Sequence, residues 1–177
     1  MVCLLLEMNK IIDEIIALQK QYPQLIKTFP LVNSRMVKFV EEFLSIKLDE
    51  QLLEIYNYSN GLSFLQYALV GINNKQMGSL LDLNQAVPDE MYTHDGNRYL
   101  TFMSDGGGYY SYLDNPQEIN HPVYIYNDES FKHKLIAPSI KEFFEYFLKR
   151  IPYVLENHLK NGEYLSIDDE EIIPSDL

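Results

Sequence analysis

The side chains able to do acid–base, nucleophilic or metal chemistry are scattered along this sequence. Four histidines, His94, His121, His133 and His158, have no partner at an i,i+3 or i,i+4 spacing. No helix therefore presents two imidazoles on one face, the usual way to seed a metal site. Ser63 stands in GLSFL, which is half of a nucleophile elbow. The second glycine is missing, and an elbow needs a strand before its helix, whereas here a helix precedes a strand. The run Ser104-Asp105-Gly106-Gly107-Gly108 can aim backbone N–H groups at a phosphate, but phosphate loops lead into a helix. The residues that follow, Tyr109, Tyr110, Ser111, Tyr112 and Leu113, favour a strand. We read the run as a structural turn in which Gly106, Gly107 and Gly108 supply positive φ and Asp105 bonds turn amides. These patterns assign no catalytic residue, no metal ligand and no cofactor.

What remains is contact chemistry. The chain has 14 tyrosines, and Tyr110 with Tyr112, like Tyr124 with Tyr126, alternate along strand candidates so that each pair shares a face. Exposed, such rings offer wide contact area at small entropic cost; buried, they cover the core under a helix. Acidic pairs add to them: Asp128-Glu129 follows the third strand candidate, and Asp168-Asp169-Glu170-Glu171 lies near the C-terminus. The candidate partner-binding set is Asp105, Tyr110, Tyr112, Tyr124, Tyr126, Asp128 and Glu129. With 14 Lys+Arg against 26 Asp+Glu, the formal net charge is -12. A field of that sign repels phosphate backbones and attracts basic proteins, so the expected partner is a protein and not a nucleic acid.

Those residues need a scaffold, and 177 residues are enough for one domain. The lone Cys3 excludes an internal disulfide and fits a reducing compartment, so the cytoplasm is expected. The opening MVCLLLE lacks a basic n-region, and no apolar run approaches a membrane span, so neither secretion nor membrane insertion is expected. From Glu7 to Lys20, apolar residues recur at helical spacing. Pro23 and Pro30 break that helix. Asn33 or Ser34 caps a second helix, ending near Ser45, whose buried stripe would be Met36, Val37, Val40, Phe43 and Leu44. Asp49 caps a third, stopped by Asn60-Gly61. A β-favouring run spans Leu62 to Ile72, a short helix Leu80 to Gln85, and an Asp95-Gly96-Asn97 turn leads to strand candidates Tyr99–Met103, Tyr109–Leu113 and Val123–Tyr126. Ser139 and Glu142 form a capping box for a helix that Pro152 should end or kink, followed by a short helix stopped at Asn161-Gly162. The acidic segment 163–177 is expected to be loosely held.

Several segments resemble one family. MVKFVEEFLSIKLDEQLLEIYNYSNGLSF resembles the helix, link, helix and N-G opening of the SUKH superfamily, named partly for fungal regulators of the Smi-Knr type. YLTFMSDGGGYYSYLD resembles its central hairpin, HPVYIYNDE its next strand, and IAPSIKEFFEYFLKR its closing helix. The likeness covers roughly residues 34–150; Asp49 stands where the link usually has proline, and the chain has no Trp. It implies a single α+β domain: a largely antiparallel twisted sheet of about 4–6 strands packed with N-terminal and C-terminal helices. It further implies a non-catalytic protein-binding role without cofactor, either an immunity protein that neutralises a toxin, such as a basic nuclease, or an intracellular regulatory scaffold.

Overall fold

The computed structural model describes residues 2–31, 33–74, 76, 78–86, 93–94, 97–114, 120–127 and 132–168. The first amphipathic repeat forms α1, Val2–Gln21, which starts five residues before the Glu7 expected from periodicity. Among its described side chains, Met8, Ile11 and Ile15 are buried in the core. Between the two prolines the chain does more than break the helix: Ile26–Thr28 is a strand, β1. Three residues carry no period to read, and only pairing with a distant strand makes them β.

Asn33 caps α2, Ser34–Leu44, its Oδ1 accepting from the Met36 N–H at 3.1 Å. The left-handed Ser45, φ +53°, closes the helix where expected. Asp49 caps α3, Glu50–Tyr58, with Oδ1 accepting from Gln51 N at 2.7 Å and Leu52 N at 3.1 Å. Asn60-Gly61 is not the stop of α3, because the helix ends on the extended Ser59. Gly61 has φ +99°, and a Cβ there would lie 2.9 Å from the Leu69 carbonyl oxygen. Its lack of a side chain lets two backbones approach.

The β-favouring run is a hairpin of β2, Leu62–Phe64, and β3, Tyr67–Leu69. Then come α4, Leu80–Ala86; β4, Thr93–His94; β5, Asn97–Ser104; β6, Gly108–Leu113; β7, Val123–Asn127; and β8, Lys132–Ala137. The Asp95-Gly96 part of the expected turn lies outside the described residues. Seven strands run in the order β1-β2-β3-β5-β6-β7-β8, all neighbours antiparallel, and β4 pairs with the start of β5. The fold is α+β, with a sheet widened by β1 and β8 beyond the strands legible in sequence.

The last helix, α5, is one element, Ile140–Asn161, and Pro152 lies inside it. A proline in a helix interior costs about 3 kcal/mol. Val154 and Leu155 beyond it are wholly buried, and each buried side chain contributes about 1.5–3 kcal/mol, so continuing the helix wins. Ser139 Oγ accepts from Glu142 N at 3.2 Å and donates to the Glu142 carboxylate at 2.8 Å. Helix α5 lies on the sheet through aromatic contacts: Phe64 and Tyr67 meet Phe147 at 5.1 and 5.3 Å, while Phe102 and Tyr110 meet Phe143 at 5.6 and 5.3 Å. Helix α1 packs against α3 and α5.

Candidate protein-binding surface

The SDGGG turn joins β5 to β6 and satisfies itself. Asp105 Oδ1 accepts from Gly107 N at 3.1 Å and Gly108 N at 2.6 Å, and Tyr110 Oη donates to Asp105 Oδ2 at 3.3 Å. The amides that could cradle an anion are already held by a carboxylate of their own turn. Of the three glycines only Gly106 has positive φ, +90°; Gly107 does not, and at Gly108 the limit is space, with Ile125 Cδ1 3.1 Å from where a Cβ would sit.

The four candidate tyrosines separate by face. Register pairs Tyr110 with Ile125 and Tyr112 with Val123 on the side under α5, and Tyr109 with Tyr126 and Ser111 with Tyr124 on the other. Tyr110 and Tyr112 have no exposed surface, so neither ring is available to a partner on the folded chain. Tyr112 Oη instead accepts from Asp49 N at 3.3 Å, and burial pushes both phenols above their ordinary pKa. Tyr126 is also buried. Tyr124 is half-buried, edge-on to Tyr99 at 5.3 Å, and His133 stacks on Tyr99 at 4.2 Å. Asp128 and Glu129 lie outside the described residues.

A polar cluster that sequence spacing did not reveal ties the α2–α3 link to the sheet. Asp49 Oδ2 is 2.6 Å from His121 Nδ1, so this carboxylate caps α3 with one oxygen and meets an imidazole with the other. Arg98 donates to the carbonyl oxygens of Leu44 and Ser45 at the C-terminal end of α2, where a cation complements the helix dipole. Partial burial raises the Asp114 carboxyl pKa, against opposing pulls from Arg98 and His121. Residues 49, 98, 114 and 121 stand far apart in sequence, so no local motif signals their meeting. Among the described residues no group of three or more His, Cys, Asp or Glu side chains could hold a metal ion.

Beside this cluster a cleft of about 370 Å³ is lined by Glu41, Glu42, Ser45, Ile46, Lys47 and Asp114. The exposed face of α2, which shares Glu42 with the cleft, departs from expectation. Phe43, assigned to the buried stripe by its spacing, is 53 % exposed; Phe39, which that stripe did not include, is 49 % exposed, and the two rings lie 6.0 Å apart. Val40 and Leu44 fill the buried side of α2.

The start of the acidic C-terminal segment is strapped down. Ile167 is fully buried; its N–H donates to Tyr67 Oη at 2.8 Å and its carbonyl accepts from Arg150 at 2.6 Å. Tyr146 Oη donates to Asp168 at 2.9 Å. Asp169, Glu170 and Glu171 lie outside the described residues. Among the described residues no helix is long and apolar enough to cross a membrane.

Two comparisons with known proteins bear on this arrangement. The model of the SMI1 / KNR4 family (SUKH-1) matches residues 32–146, from the cap of α2 into α5. No curated protein matches the chain.

Proposed function

Because the chain belongs to the SMI1 / KNR4 family (SUKH-1), we propose that it is a non-catalytic immunity protein, which binds a toxin and occludes its working surface. Family membership carries this reading. The net charge of -12 supports it: a strongly acidic protein accelerates its encounter with a basic partner and disfavours phosphate-bearing competitors. So does the internal use of the chemically able groups. Asp105 holds its own turn and Asp49 caps its own helix, which leaves surface contact as the available work. A basic toxic enzyme such as a nuclease is the partner chemistry this charge suits, and the single Cys3 suits action in the cytoplasm.

Co-expression with the toxin encoded by a neighbouring gene tests the proposal. The expected result is restored growth and a stoichiometric complex. A chain that neither binds nor protects against any such product sinks it. A pull-down that instead retains several endogenous signalling proteins would favour a regulatory scaffold.

A further inference from the structure

Phe39 and Phe43 are one helical turn apart on α2 and half in water. The core does not need them, because Val40 and Leu44 fill the buried stripe and Met36 and Val37 pack at its edge. Full burial of a phenylalanine side chain is worth about 1.5–3 kcal/mol, so a half-solvated touching pair keeps much of that gain for a second surface. Glu42 lies three residues from Phe39 on the same helix and also lines the adjacent cleft. Glu41, Glu42 and Asp114 line that cleft with Lys47, and Arg98 reaches its Ser45 wall, so three carboxylates face two cations; Glu41 Oε1 also accepts from the Leu48 N–H at 3.0 Å. Arg35 and Lys38 precede Phe39, so α2 runs from basic to acidic, and its acidic end adjoins the cleft. The Asp114 carboxyl is short of water, as its raised pKa indicates, and an incoming cation would relieve it. Arg98, fastened to the Leu44 and Ser45 carbonyls, holds the end of α2 against β5.

We infer that the Phe39–Phe43 face of α2 and the carboxylate-lined cleft beside it form one docking surface, whose occupant is an arginine-bearing, partly apolar surface of a protein partner. Apolar parts of that partner cover the two rings. Its guanidinium groups lie over the ring faces and bridge to Glu41, Glu42 or Asp114. This inference rests on the protein-binding reading above and deepens it by naming the surface and the chemistry it accepts.

The probe is a synthetic peptide of alternating arginine and leucine, with a glutamate–leucine peptide of equal length as control, titrated into the ¹⁵N-labelled full chain. The arginine peptide should shift the amide resonances of Phe39, Glu42, Phe43 and Asp114, and the control should not. The double variant Phe39→Ser/Phe43→Ser and the single variant Glu42→Lys should each weaken binding by about tenfold or more, while Leu159→Ser, on the last turn of α5, leaves it unchanged. Absence of binding, shifts spread evenly over the acidic surface, or full affinity in the double variant overturns the inference. So does a wild-type dimer that the double variant converts to monomer in sedimentation, since the occupant would then be a second copy. Growth rescue separates the two proposals. Rescue retained by the double variant removes this surface and leaves the immunity reading, whereas a wild-type chain that protects against nothing removes that reading while the titration still decides the surface.

Discussion

Asn84 and Thr101 exchange two hydrogen bonds between helix and sheet: Asn84 Nδ2 donates to the Thr101 carbonyl at 2.7 Å, and Asn84 Oδ1 accepts from the Thr101 N–H at 2.9 Å. Thr101 lies beyond Leu69↔Met103, where β3 stops pairing with β5. A side-chain amide from α4 thus does there what a strand neighbour would do. Both residues are buried, so Asn84→Ala leaves two backbone groups without partners, at about 1–3 kcal/mol each. Urea denaturation should show a loss of about 2–5 kcal/mol, against less than about 0.5 kcal/mol for Gln85→Ala on the exposed side of α4.

The glycines of the hairpin turn are not equivalent. Gly107 has an ordinary φ and open space around it, so Gly107→Ala should fold with an unchanged midpoint within about 0.5 kcal/mol. Gly106→Ala places a Cβ at φ +90° and should cost about 1–2 kcal/mol. Gly71→Ala should be the most damaging of the three, because its Cβ would meet the Asn60 carbonyl oxygen at 2.6 Å and the Asn74 Cβ at 2.6 Å. Thermal melts of the three variants give the ranking directly.

Phe43 and Phe147 read alike in sequence and should behave differently. Phe147 is fully buried between α5 and the β2–β3 hairpin, and Phe147→Ala should cost about 3–5 kcal/mol. Phe43→Ala, at a side chain 53 % exposed, should cost under about 1 kcal/mol. Equal losses would mean that Phe43 is a core residue.

High pH should unfold the protein through its tyrosines. Burial lifts the phenols of Tyr56, Tyr110 and Tyr112 above the ordinary value of 10.0, and lifts Tyr67 to about 12. A group whose folded pKa is raised stabilises the fold fully below its unfolded value and loses that contribution as pH climbs towards the folded one. Stability should therefore fall progressively above pH 10.0, and phenolate absorbance should show one class of tyrosines ionising only with cooperative unfolding.

Asp114 predicts the same sign in the acid range. Its carboxyl binds a proton more tightly folded than unfolded, because partial burial outweighs the pull of Arg98 and His121. Ionisation therefore weighs against the fold as pH rises through the raised value, and it has no effect well below the ordinary carboxylate value of about 3.9. Asp114→Asn should raise the Tm at pH 7 and leave it unchanged near pH 3, which calorimetry at the two pH values checks.

The sequence by itself determined what depends on neighbours along the chain. Asn33, Asp49 and Ser139 cap the helices their spacing assigned to them, the SDGGG run is a hairpin turn closed by its own aspartate, and the α+β class with its antiparallel sheet was legible through the family resemblance those segments carry. Tertiary structure decided everything that depends on which face meets what. It made Ile26–Thr28 a strand by pairing it with β2, carried α5 through Pro152 because Val154 and Leu155 had a core to enter, and brought Asp49, Arg98, Asp114 and His121 to one end of the sheet. It also buried Tyr110 and Tyr112, which the sequence left open between contact and core, and left Phe43, expected in the buried stripe, half in water. Helical and strand periods fix which residues share a face. Only the packing of α2, α5 and the sheet fixes which face is covered.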